Sequence, residues 1–360
     1  MAVFVTGFPG FLTSRIVKQL LNRGEEKIFA LVLQTEWEKA ERRMEELLIE
    51  VGGSFRIELV VGDITQPDLG LDQQTAQRLK DEVEFVWHLA AIYDLAVPQD
   101  VAKKVNVTGT ETVNAFVRQL PKLKRYMYFS TAYVAGRRDG VLREDELIRP
   151  KSFKNHYEET KFEAELLVEE LKGELPITII RPGIVRGDSV TGETIKFDGP
   201  YFFLIMIDRL RKLPIIPYVG RSYSTINVVP VDYIVNASIY LCYLEDAENH
   251  TVHLTDPRPY PVEEVYRAMV FGLTGKPPTG RIPLKMARAG LSVKSIRSLL
   301  GVEQETLDYL TWNANFDTSN AERLLKDSGI ECADFLSTMR PMIQFYTANR
   351  NKKEFFIEIK

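Results

Sequence analysis

Tyr157 and Lys161 lie four residues apart, downstream of Thr131. On a helix that spacing sets a phenol and an ammonium on one face. A cation beside a phenol favours the phenolate, so the group gives and takes a proton more readily near neutral pH. A chain with 15 tyrosines holds such a spacing by chance, so the pair gains meaning only from its surroundings. The first residues supply them. Thr6-Gly7-Phe8-Pro9-Gly10-Phe11-Leu12-Thr13 joins a short apolar run to a helical pattern. Gly7 permits a tight turn and Gly10 lets the backbone approach a pyrophosphate, which the N–H groups of the helix start would face. Thr13 stands where the usual pattern has a third glycine, so the helix–strand contact must rearrange there. A dinucleotide-binding turn and a Tyr–Lys pair together suggest hydride chemistry on a carbonyl. Ser130 and Thr131 end the fifth expected strand, where a hydroxyl would point into the crevice and polarise the carbonyl, and Tyr157 would supply the proton. Lys161 would lower the phenol pKa from its usual value of about 10 and hydrogen-bond the nicotinamide ribose.

Other positions bear on the cofactor. The second strand ends in Leu33-Gln34, with neither the acid that holds the ribose 2′-OH of NAD nor the Arg that accommodates the 2′-phosphate of NADP. The missing acid tilts the reading to NADP, with NAD as the alternative. Arg42 and Arg43 follow on a charged helix and serve equally well as a solvated face pairing with Glu38, Glu45 and Glu46. Asp63 is placed to reach the adenine amino group, although an Asp after a strand also suits a turn. Leu89, Ala90 and Ala91, after His88, leave space for a cofactor.

The elements that must carry these residues alternate. Strands are expected at Val3–Val5, Ile28–Leu33, Ile57–Val61, Val83–His88, Arg125–Phe129 and Ile177–Ile180. Helices are expected from Leu12, over Trp37–Ile49, Val101–Leu120 and Tyr157–Leu171. That alternation predicts a doubly wound α/β fold with a parallel sheet. After Pro182 the rhythm changes to a smaller, mostly helical lobe. The expected division is 1–185 for dinucleotide binding and 186–360 for substrate, with 226–255 a candidate to return to the first unit. The apolar run Tyr201–Ile207, with Leu213, Ile215 and Ile216, is expected to be core, with an acyl tunnel as the alternative. The tail from Phe335 reads as a docked amphipathic helix, with a homodimer or membrane-surface contact as the alternative.

Composition bounds the rest. The 360 residues carry 45% hydrophobic and 27% charged side chains and a net charge of -4. This balance gives no support for a nucleic-acid partner. No apolar run is long enough to span a bilayer, and no signal segment is visible, so a cytoplasmic protein is expected. Cys242 and Cys332 form no motif, and the four histidines suggest no metal site.

The order of these motifs resembles the extended short-chain dehydrogenase/reductase family over nearly the whole chain. Thr6-Gly7-x-x-Gly10-Phe11-Leu12 looks like that family's opening turn. Gly62-Asp63, His88-Leu89-Ala90-Ala91, Asn106-Val107-Thr108-Gly109-Thr110, Phe129-Ser130-Thr131-Ala132-Tyr133-Val134, Tyr157-Glu158-Glu159-Thr160-Lys161 and Arg181-Pro182-Gly183 follow in the family's sequence. The resemblance implies Thr131 as the active-site hydroxyl, Tyr157 as the acid/base and Lys161 as its partner. It also implies cofactor contacts from Gly7, Phe8, Gly10, Phe11, Leu12, Leu33, Arg43, Asp63, Ile64, Leu89, Ala90, Ala91, Asn106, Tyr157, Lys161, Pro182, Gly183 and Val185.

Within the family the chain is most similar to the thioester reductase and fatty acyl-CoA reductase (male-sterility type) branch. Gly62-Asp63-Ile64 with Pro67-Asp68-Leu69-Gly70-Leu71, and Gly187-Asp188-Ser189 with Thr191-Gly192, carry that likeness. Leu33 replaces an Arg of that branch, and Arg43 matches a further basic position. The branch implies an NADP(H)-dependent reductase of a thioester or aldehyde, fatty acyl-CoA among the candidates. No adenylation or carrier domain accompanies these residues, so a free acyl-CoA, a separate carrier protein or a small aldehyde is expected to deliver the substrate. Two other readings stay open. One is a dehydrogenase, epimerase or dehydratase acting on another alcohol, ketone or nucleotide sugar. The other is a non-catalytic redox sensor that binds the dinucleotide.

Overall fold

The computed structural model of the chain describes residues 1–25, 27–52, 56–93, 97–302 and 304–357. Seven parallel strands form its main sheet: β1 (Ala2–Thr6), β2 (Lys27–Val32), β3 (Arg56–Val61), β4 (Phe85–His88), β5 (Arg125–Phe129), β6 (Ile177–Pro182) and β7 (His250–Leu254). Their spatial order is β7-β6-β5-β4-β1-β2-β3, which reverses direction between β1 and β4. Ligands of open α/β sheets bind at such a reversal, beyond the carboxyl ends of the strands. Thr6 and His88 are paired in register at those ends.

Helices cover both faces. α1 (Phe11–Asn22) and α2 (Trp37–Val51) flank β2, and α3 (Gln73–Glu82) leads into β4. α4 spans 99–117 as two α-helical pieces, Gln99–Ala102 and Gly109–Val117, joined by a π-helical turn at Lys103–Thr108. The expected helix over Val101–Leu120 is therefore present but interrupted, and single π turns recur at functional sites. α5 (His156–Glu169) leads into β6. Ile16, Val17 and Leu20 on α1 join Val3 and Val5 in the core on one sheet face. Phe4 and Phe29 pack with Phe116 on the other. The alternation along β1 thus feeds two cores, which is why its whole length is apolar.

The chain beyond Pro182 does not stay in the lobe. A short strand, Ile184–Arg186, pairs with Val228–Pro230. α7 (Val231–Tyr243) then packs beside α1, and β7 adds the seventh strand next to β6. The lobe has its own core, built around α6 (Tyr201–Leu210), α8 (Val262–Thr274) and the tail helix Met339–Asn349. Tyr201, Leu204 and Ile207 are fully buried there, whereas Leu213 and Ile215 are exposed. The apolar run therefore packs as core. The tail docks as well, with Met342 and Tyr346 buried and Phe355 and Phe356 ringed around Phe197. Among the described residues, no helix is long and apolar enough to cross a membrane.

Candidate active site

The turn after β1 is held by its two glycines. Gly7 has φ +90°, and a Cβ there would stand 2.8 Å from the backbone nitrogen of Ala90. The turn can therefore lie against the β4 end only without a side chain. Gly10 donates to the carbonyl of Gly7 at 2.8 Å and begins α1. No side chain caps that helix start, and its first turn has no acidic residue. The uncapped N–H groups of Phe11, Leu12 and Thr13 and the helix dipole suit the pyrophosphate of a dinucleotide. Thr13, in place of the third glycine, is buried at 2% exposure. Phe8 is buried and precedes Pro9.

Around the crevice the expected cofactor positions divide. Leu33 is exposed at the end of β2. Arg43 on α2 pairs with Glu46 at 2.7 Å and Glu50 at 3.0 Å. These ion pairs hold its guanidinium above its ordinary pKa, although burial of the group opposes them. The Asp63 carboxylate accepts from the backbone of Thr65 at 2.8 Å, so it closes its own turn. Ile64 is buried against Gly109, where a Cβ would meet its Cδ1 at 2.7 Å. Leu89, Ala90 and Ala91 run irregularly after β4 and are half-buried. Asn106, in the π turn, is spent internally. Its side chain exchanges hydrogen bonds with the backbone of Ile92 at 2.8 and 3.0 Å and donates to Thr160 at 3.0 Å. Pro182 ends β6, and Gly183 leaves no room for a Cβ, which would sit 2.7 Å from Asn227 Oδ1. Val185 lies in the short strand that follows.

The reacting groups converge between β5 and α5. Asn155 caps α5 by accepting from the backbone of Glu158 at 2.9 Å, which fixes where Tyr157 begins the helix. Thr131 follows β5; its hydroxyl accepts from the Tyr133 backbone at 3.2 Å and lies close enough to the Tyr157 phenol to oppose the rise in its proton affinity. The structure thus brings Thr131 and Tyr157 together. Lys161, one turn on, is turned elsewhere. Its Nζ donates to the Phe129 carbonyl at 2.6 Å and to the Tyr128 hydroxyl at 3.0 Å.

The proton affinities follow from this geometry. Burial pushes the Tyr157 phenol well up, with the Thr131 hydroxyl opposing and Glu158 and Tyr93 adding to the rise. Burial pushes the Lys161 amine down to about 7, with Glu165 opposing. Burial thus dominates the phenol, while the Lys161 amine, bound to the end of β5, titrates near neutrality.

Several residues of the site escaped the sequence reading. Tyr128, which receives the Lys161 amine, packs its ring 5.7 Å from that of His88. Thr110 meets His88 Nε2 at 3.1 Å, and His88 Nδ1 meets Thr6 at 2.7 Å. Burial lowers His88 to about 3, so a neutral imidazole bridges Thr110 to Thr6 at the start of the glycine turn. Ser130 does not face the crevice. It donates to Glu165, which is ion-paired with Arg181 at 2.6 Å beneath the site. The polar residues were visible in the sequence, but nothing in their spacing joined them.

Known proteins share this fold and sequence pattern. The terminal R domain of the myxalamid PKS-NRPS pathway is 26% identical and superposes with a TM-score of 0.83, covering 98% of this chain and 92% of that one. The large subunit of L-2-aminoadipate reductase from Penicillium chrysogenum is 29% identical over 276 residues, 70% of this chain and 19% of that protein. Fatty acyl-CoA reductase wat from Drosophila melanogaster is 28% identical over 276 residues, 65% of this chain and 52% of that protein. The chain thus spans about half or less of the length of these curated relatives. A family model described as male sterility protein, NAD-binding, matches residues 5–238. With the Rossmann-type sheet, the uncapped glycine turn and the Thr131–Tyr157 pair, that match establishes that the chain belongs to the male sterility protein family of NAD-binding, short-chain dehydrogenase/reductase-type oxidoreductases.

Proposed function

We propose that the chain reduces the carbonyl of an acyl thioester, or of the corresponding aldehyde, with NADPH as the hydride donor. The observation that carries this reading is the placement of Thr131 beside the Tyr157 phenol at the carboxyl edge of a sheet whose first helix starts uncapped. The bound dinucleotide supplies the hydride. Gly7, Gly10, Phe11 and Leu12 hold its pyrophosphate, and Gly183 and Val185 lie where the nicotinamide end must be received. Thr131 and Tyr157 hold the substrate oxygen between two hydroxyls, and Tyr157 donates its proton as negative charge develops there. A phenol held protonated by burial is suited to donating. Lys161 presents its amine to the ribose from the floor of the site, anchored on Tyr128 and Phe129.

The thioester reading draws on the relatives, two of which are named as reductases of L-2-aminoadipate and of fatty acyl-CoA. Hydride addition to a thioester gives a hemithioacetal, which collapses to an aldehyde and a thiol. A second hydride gives the alcohol. Delivery by CoA or by a carrier protein fits a chain that carries the reductase unit. NADPH is preferred to NADH because no acid stands at Leu33 and Gln34 to hold a ribose 2′-OH. The test is cofactor oxidation with a panel of acyl-CoAs, carrier-bound acyl groups and aldehydes. Turnover with NADPH and at least one of them supports the reading. Dinucleotide binding with no turnover on any of them sinks it.

A further inference from the structure

The first turn of α5 carries a second charge pair that the reaction described above does not use. Lys154 and Glu158 have side chains 1% and 0% exposed, and Nζ stands 3.5 Å from Oε1. Burying two charges is costly unless both are paired and fully hydrogen-bonded. Here the partners are supplied. Lys154 Nζ donates to the Gly136 carbonyl. Glu158 accepts from the Lys154 backbone at 3.1 Å and from the Tyr309 hydroxyl at 2.9 Å. The lysine also sits in an aromatic cage, 3.5 Å from the ring centroid of Trp312, 5.3 Å from Tyr309 and 5.7 Å from Tyr133. Tyr309 and Trp312 come from the lobe, more than 150 residues along the chain from Glu158 and Lys154.

Glu158 directly follows Tyr157, and Tyr133 lies two residues after Thr131. The cage therefore clamps both segments of the catalytic constellation, the start of α5 and the turn after β5, from the lobe side. We propose that Glu158 and Lys154 are positioning residues, a caged ion pair through which the lobe segment around Tyr309 and Trp312 holds Tyr157 against Thr131 and sets the charge beside its phenol. The charged and titratable groups around this unit are few. Tyr157 faces Thr131, Tyr93 and Glu158. Lys154 faces Glu158, Arg137 and Asp308, and Asp308 is itself paired with Arg137 at 2.7 Å and Arg288 at 2.8 Å. Lys161 is directed to Tyr128, away from the pair. The Glu158 carboxylate, on the residue next to Tyr157, adds to the rise in the phenol's proton affinity.

Two measurements test this on the whole protein. The first is amine acetylation followed by peptide mass spectrometry, which needs no substrate. Lys154 is expected to stay unmodified while exposed Lys151 reacts, and to lose that protection in Trp312→Leu. Equal labelling of Lys154 and Lys151 in the wild type overturns the cage. The second rests on the reductase activity proposed above and reads the pH dependence of kcat. Glu158→Gln is expected to lower kcat with little change in KM. It is also expected to move the alkaline limb down by about one pH unit, because that negative charge is gone. Tyr309→Phe, which deletes only the hydroxyl that draws that charge away, is expected to move the limb up. Profiles that are scaled but not displaced would show a merely structural pair and overturn the proposal. A wild type without any turnover overturns the activity instead, and the labelling result then decides the pair by itself.

Discussion

Lys161 Nζ lies 3.0 Å from the Tyr128 hydroxyl, inside the sheet edge and away from Tyr157. That contact makes the amine part of the protein interior, and burial lowers its pKa from 10.5 to about 7. Between those values the unfolded chain holds a proton that the folded chain does not. The cost of burying the amine is therefore fully present below pH 7 and vanishes as the pH rises toward 10.5. Lys161→Met removes this dependence. The Tm of the wild type is expected to gain on that of Lys161→Met as the pH is raised from about 7 to about 10. Parallel melting curves across that window would show that the amine keeps its proton when folded.

Tyr157→Phe keeps the ring and deletes the phenol hydroxyl beside Thr131. A lost general acid costs about 10²–10⁴ in rate. Turnover is expected to fall by that factor while dinucleotide affinity, measured by fluorescence titration, stays within about twofold, because the glycine turn is untouched. Equal loss of affinity and rate would place the phenol in cofactor binding instead.

Beneath the site, Glu165 lies between Ser130 and Arg181, with side chains of the ion pair 0% and 2% exposed. Arg181 also donates to the carbonyls of Arg143, Glu144 and Glu146. Glu165→Leu leaves that guanidinium buried without its counter-charge, and breaking such a pair costs about 3–5 kcal/mol. Urea denaturation is expected to show an unfolding free energy lower by that amount, with the midpoint falling in proportion. A change under about 1 kcal/mol would mean that the pair is solvated.

How far the sequence carried the reading follows from these residues. The strands and the glycine turn are local patterns, so β1 and the start of α1 were legible, and so was the shared helix of Tyr157 and Lys161. Glu165, Glu158 and Lys154 were not. α5 buries Glu158, Lys161, Phe162, Ala164, Glu165 and Val168 around most of its circumference. A helix buried this way shows no clean apolar stripe, and its charges look like a solvated face. Their partners Arg181, Tyr309 and Trp312 come from later strands and the lobe, so only the folded chain joins them. The anchoring of Lys161 on β5 was hidden for a related reason. Spacing sets the face a side chain shares, but the hydrogen-bond acceptors at the end of β5 decide where its amine goes.

Gly7→Ala tests the turn. The new Cβ would stand 2.8 Å from the Ala90 nitrogen, and φ +90° is a conformation that side-chain-bearing residues rarely adopt. Strain of this kind costs about 1–3 kcal/mol. Both a lower Tm and a dinucleotide affinity weakened by about tenfold or more are expected, since about 1.4 kcal/mol is a factor of ten. Normal affinity in a destabilised variant would show that the turn is structural and does not hold the pyrophosphate.

Leu33→Arg tests cofactor choice. Leu33 is 47% exposed at the end of β2, where a guanidinium would meet a ribose 2′-phosphate. Arg43 is half-engaged by Glu46 and Glu50, so it offers the phosphate only part of its charge. A bidentate Arg–phosphate contact adds about 1.5–3 kcal/mol. The ratio of kcat/KM for NADPH over NADH is therefore expected to rise at least about tenfold in Leu33→Arg. It is expected to fall in Arg43→Ala, with NADH use unchanged. If neither variant moves the ratio, the 2′-position is received by other residues and the preference for NADPH has to be argued from them.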